Sequence, residues 1–130
     1  MGLNISPGDV RFSYSGYVNF RIRLCEASGL GDRFKRVADY RNDEEVEWPD
    51  NDPIMVGFLM HSDIDGLFDW KDCKDIADRI EKCLPELKKT DEEYGFTGQM
   101  EQFAQHAKAI EMISAFREAF ETKRDIIYGG

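Results

Sequence analysis

A chain of 130 residues suits one domain, and 42% hydrophobic with 33% charged residues suits a soluble globular fold rather than a disordered one. A net charge of -9 argues against holding nucleic acid by general phosphate neutralisation. No apolar run approaches the roughly 20 residues of a membrane-spanning helix, and "MGLNISPGDVRF" has neither a basic nor an apolar leader region, so the expected setting is cytoplasmic.

The three cysteines, Cys25, Cys73 and Cys83, are odd in number and widely spaced. That pattern fits free thiols in a reducing compartment, not a disulfide framework. No C-x-x-C pair supports a zinc knuckle or a redox centre. "MGLNIS" matches the loose pattern for N-myristoylation, but so short a pattern arises by chance and no polybasic segment follows it.

In chain order, Pro7 and Gly8 predict a turn, and alternating Val10, Phe12 and Tyr14 predict a short strand. Ser15 is a candidate cap for a helix near 16–28, whose Tyr17, Phe20, Leu24 and Ala27 recur at helical spacing before Gly29 and Gly31. Residues 32–40 predict a shorter helix with Phe34, Val37 and Ala38 on its apolar side. Asp43, Glu44, Glu45, Glu47, Asp50 and Asp52 follow with no base among them, in a stretch punctuated by Pro49 and Pro53. This reads as a solvated acidic loop, or as an acidic face offered to a basic partner. "IMVGFLM" favours a buried strand. Cys73, Ile76, Ala77, Ile80, Cys83, Leu84 and Leu87 form the stripe of a helix near 69–84, which Pro85 ends or bends. "KKTDEEYGFTG" reads as a polar connector. Thr97 is a candidate cap for a last helix near 98–122, with Met100, Phe103, Ala107, Ile110, Ile113 and Phe120 along one side, and "DIIYGG" as a short edge strand. The expected fold is an α-rich α+β single domain of three main helices and a few short strands over residues 1–130. Its core should gather Phe20, Leu24, Ile76, Ile80, Ile110 and Ile113.

"MHSDIDGLFDWKDC" concentrates chemistry. With His61 at position one of a twelve-residue loop, Asp63 falls at three, Asp65 at five, Gly66 at six, Asp69 at nine and Asp72 at twelve. The stretch resembles a degenerate EF-hand calcium loop, with glycine where the chain must turn and the apolar Phe68 at eight. It departs from that pattern in its histidine, in the short Asp72, and in having no second loop to pair with. The resemblance implies a divalent cation such as calcium, magnesium, manganese or zinc, held by His61, Asp63, Asp65, Asp69 and Asp72. An imidazole ligand favours the transition metals among these. The competing reading needs no metal: a turn with Gly66 at positive φ, then a helix capped by Asp69.

A catalytic version would use His61 as a base oriented by a carboxylate. No partner nucleophile, glycine-rich phosphate loop, G-x-S-x-G or H-E-x-x-H signature accompanies it, and His106 has polar neighbours on the last helix. The reading therefore leans away from an enzyme. Taken together, "FSYSGYVNFRIRL" and "MHSDIDGLFDWKDCKDIADRI" resemble a group of small bacterial and phage proteins. These share a Tyr-Ser-aromatic helix start and an H-S-D-x-D-G turn before a helix with an early acid-cysteine pair, here Asp72 and Cys73. The resemblance implies a cytoplasmic accessory protein of a phage or mobile element and assigns no activity to any residue. The expected function is a non-catalytic binding or inhibitory module with a basic protein partner. The alternative is a metal-binding protein or small metal-dependent enzyme centred on the "HSDIDG" loop.

Overall fold

Leu3 and Ile5 alternate with Asn4 and Ser6 in strand β1 (Gly2–Ser6), and Val10 and Phe12 with Arg11 and Ser13 in β2 (Val10–Ser13). Such alternation buries one face of each strand. The computed structural model describes residues 2–40, 46–61, 66–96 and 104–129. β1 and β2 pair antiparallel, with Ile5 opposite Val10. Gly8, in the turn between them, sits at φ +102°, and a Cβ there would lie 2.5 Å from that of Ala115. Only glycine lets this turn lie so close to the last helix.

Helix α1 (Tyr14–Ala27) begins one step after β2, so Tyr14 belongs to the helix rather than the strand. Ser13, not Ser15, caps it, its Oγ accepting the Gly16 N–H at 3.0 Å. α2 (Arg33–Tyr40) lies where its apolar side predicts, with Phe34 buried.

The "IMVGFLM" stretch is a helix, α3 (Pro53–Leu59), not a strand. Asp52 accepts the Met55 N–H and Pro53 stands in the first turn, two start signals that outweigh the β-branched content. Strand β3 (Gly66–Phe68) follows, and then α4 (Trp70–Glu81), which buries Cys73, Ile76, Ala77 and Ile80 at the spacing of one helical face.

The residues read as a polar connector form α5 (Leu84–Glu93). Pro85 starts this helix rather than bending the previous one, because a missing N–H in the first turn breaks no bond. α6 (Gln105–Thr122) begins later than expected, and Thr97, Met100 and Phe103 lie outside the described residues. Its N-cap, Ala104, has no side-chain acceptor. Asp91 of α5, only 5% exposed, replaces it: its two oxygens accept the N–H groups of Gln105 and His106 at 2.8 Å each. The buried side of α6 is Ala109, Met112, Ile113, Ala115, Phe116 and Ala119. Ile110, expected in the core, is 48% exposed, and Ala107 is exposed too.

β4 (Ile126–Gly129) is an interior strand, not an edge one, because the antiparallel sheet runs β2-β1-β4-β3. Among the described residues there are thus six helices and four strands, an α-rich α+β fold. Leu3, Ile5, Val10, Phe12, Phe68, Ile126 and Tyr128 face the helices and join one contiguous core. The other sheet face carries Asn4, Ser6 and Arg11 beside an exposed cross-strand pair, Leu67 and Ile127.

Ile80 is fully buried, so Ile80→Ala should cost about 2–5 kcal/mol in urea unfolding, whereas Ile110→Ala should stay within about 0.5 kcal/mol. Asp91→Ala should cost about 2–3 kcal/mol, since it uncaps α6 and strands two buried donors. The same urea titration reads that change.

Candidate functional site

His61 follows the end of α3 and turns back over β3. Its ring stacks on Phe68 with centroids 3.9 Å apart and meets Tyr128 edge-on at 5.3 Å. Its Nε2 donates to the Leu67 carbonyl at 2.9 Å. That bond puts the proton on Nε2 and leaves the lone pair on Nδ1, a tautomer that structural and metal-bound histidines share. Gly66 sits beneath the imidazole at φ +124°, and a Cβ there would come within 3.2 Å of Cε1. Backbone conformation and ring packing both require glycine. The same aromatic cluster continues inward to a buried hydroxyl pair, Tyr17 and Tyr128, with oxygens 2.6 Å apart.

Asp69 caps α4 through Oδ1 on the Lys71 N–H at 2.9 Å, as its sequence position predicts. A second carboxylate, Asp125, takes the Trp70 N–H at 2.9 Å. Asp72 lies one turn further on and is exposed. Asp63 and Asp65 lie outside the described residues. Among the described residues, no group of three histidine, cysteine or carboxylate side chains is placed to share an ion. His61 and Asp69 each make one hydrogen bond to the backbone, at Leu67 and Lys71. The cysteines are packing groups: burial raises the thiols of Cys25 and Cys83 and pushes Cys73 up to about 11. Thiols that stay protonated at neutral pH are poor nucleophiles.

Of the acidic stretch, Asp43, Glu44 and Glu45 lie outside the described residues. Glu47 and Asp50 are exposed. Asp52 turns inward, contrary to its reading as part of a binding face. Its carboxylate takes Arg79 Nε at 3.0 Å and Nη2 at 2.5 Å, and its side chain is only 14% exposed. This pair holds the Arg79 guanidinium above its already high range. Arg79 also donates to the Ser28 carbonyl at the end of α1.

With α3 locked to α4 in this way, a cleft of about 260 Å³ opens between them. Phe58, Phe68 and Ile76 are its buried floor, Ile54 and Gly57 form one wall, and Asp72 and Asp75 stand on the opposite rim. Neither rim carboxylate makes a hydrogen bond or ion pair among the described residues. Their lysine neighbours are engaged elsewhere: Lys74 pairs with Asp78 at 3.0 Å, and Lys71 lies 6.0 Å over the Trp70 ring. Reading the apolar run as a strand hid this cleft. The Asp-Pro start of α3 is the signal that could have revealed it.

No family model, curated protein or solved structure matches this chain.

His61→Ala should lower stability by about 0.5–1.5 kcal/mol, through the lost ring contact on Phe68, the exposed Leu67 carbonyl turning to water. The loss should be equal in chelator and in calcium, manganese or zinc, as thermal melts would read. A wild-type melting temperature that rises with one of these ions, and does not rise in the variant, would establish the metal reading.

Proposed function

We propose that this protein is a non-catalytic binding module, an accessory protein that offers an acidic face to a basic surface on a partner protein. The observation that supports this reading is an excess of exposed carboxylates without an ion-pair partner, two of which rim an apolar cleft. Many cations are matched to nearby acids: Arg11 with Asp9, Arg23 with Glu26, Lys35 with Asp39, Arg36 with Asp32, and Arg117 with Asp78 and Glu81. Glu47, Asp50, Asp72 and Asp75 have no such match among the described residues; exposed Glu86, Glu92, Glu93, Glu118 and Glu121 on α5 and α6 have none either, but only the first four lie close to α3 in the chain or in the cleft beside it. Asp72 and Asp75 rim the cleft that Pro53 and Ile54 line, and Asp50 precedes Pro53 by three residues; the hollow on the other side of Pro53 and Ile54 carries Arg33, Arg79 and Lys82, so the acidic side is that of the cleft.

Unpaired surface carboxylates steer a cationic partner and suppress anionic ones. They add little to stability, since exposed acids beside one another repel. A partner that handles nucleic acid presents the complementary surface, with these acids standing where phosphates would. An inhibitory role follows if that surface is needed for nucleic acid binding.

Affinity capture from a bacterial lysate should retain basic proteins, released as salt rises and the Debye length shortens. A variant combining Glu47→Gln, Asp50→Asn, Asp72→Asn and Asp75→Asn should keep its circular dichroism spectrum and lose that capture. Equal capture by the variant, or retained proteins that are not basic, would overturn the reading.

A further inference from the structure

We infer that the cleft between α3 and α4 docks a basic amphipathic segment of the partner, one apolar side chain entering the cleft while flanking Lys or Arg residues pair with Asp72 and Asp75. The inference rests on the acidic-face reading and gives it a location and a partner chemistry.

Size is the first argument. About 260 Å³ lies below the range of roughly 300–1,000 Å³ for sites that enclose small molecules. It suits one leucine, methionine or phenylalanine side chain. The floor of Phe58, Phe68 and Ile76 is apolar and offers such an anchor no competing polar group. Buried anchors of this kind, ringed by polar contacts, dominate the affinity of protein interfaces.

Gly57 is the second. It stands inside a seven-residue helix, where glycine weakens the helix relative to alanine. The usual reasons for a glycine fail here. Its φ is not in the left-handed region, unlike that of Gly8 or Gly66, and a Cβ on it would meet nothing within 4 Å among the described residues. Gly57 is exposed, and the described residues leave the space above it open to a side chain from a partner.

Charge is the third. Asp72 and Asp75 are one helical turn apart on the same side of α4, both exposed and both without an ion-pair partner among the described residues. An apolar cleft rimmed by two free carboxylates complements an apolar residue flanked by cations. It disfavours an acidic segment and gives a neutral one no charge contact.

The test uses two synthetic peptides of equal positive charge. One carries a central leucine between lysines, and the other has alanine in its place. Binding to the full chain is measured by titration, with methyl resonances of Ile54 and Ile76 as local reporters. The leucine peptide should bind at least about tenfold tighter than the alanine peptide, a difference the size of one buried side chain. It should shift both isoleucine signals. Gly57→Leu, which fills the cleft without altering charge, should abolish that difference. Asp72→Asn with Asp75→Asn should weaken both peptides by about tenfold or more. If the two peptides bind alike and Gly57→Leu changes nothing while the charge variant weakens both, the cleft is not the docking site but the acidic-face reading stands. If the charge variant also binds like wild type, that reading falls with it. Absence of binding by either peptide overturns the cleft proposal outright.

Discussion

One carboxylate fixes how α3 meets the rest of the molecule. Asp52 holds Arg79 of α4 and also accepts the first-turn Met55 N–H of α3, while Arg79 reaches on to the carbonyl of Ser28, the C-cap of α1. Three helices are thereby tied at one point. A half-buried pair like this is not a large net source of stability, because desolvation offsets much of the attraction. Its effect is on geometry: removing either partner leaves a charge with no counterpart in a confined space. The pair joins α4 to the start of α3, next to Pro53 and Ile54 of the cleft wall.

A second set of contacts closes the sheet. Its outer strands, β2 and β3, each have a carbonyl taken by a side chain: Lys108 Nζ on Arg11 at 2.7 Å and His61 Nε2 on Leu67 at 2.9 Å. Outer strands with open carbonyls invite pairing with another chain, and both contacts blunt that tendency. His61 is therefore best understood through β3 and the aromatic cluster beneath it. The residue that draws attention in the sequence as a ligand or a base also packs its ring on Phe68 in the fold.

What could be read from the sequence followed local rules. α1, α2, α4 and the body of α6 showed helical spacing, and Asp69 and Gly66 occupied positions whose backbone requirements only a few residue types meet. What escaped depended on distant partners. Asp52 and Asp91 look like solvated acids because their partners lie 27 and 14–15 residues away. β4 looked like an edge because nothing local tells that β1 and β3 both pair with it. α5 was hidden by Pro85, which marks the start of a helix as readily as its end.

The misread apolar run had the largest consequence for the site. In a strand, side chains alternate, so Ile54 and Phe58 would share one face while Pro53 and Gly57 occupied the other. In a helix, residues four apart lie in adjacent rows, and Pro53, Ile54, Gly57 and Phe58 come together on one side. All four line the cleft. An apolar wall with a gap at Gly57, opposite two carboxylates one turn apart on α4, exists only in the helical arrangement. The start signal of that helix is Asp52 followed by Pro53, and Asp52 also joins it to α4 through Arg79. Within the acidic stretch, Glu47 and Asp50 stay exposed, while Asp52 is withdrawn to cap α3 and hold Arg79.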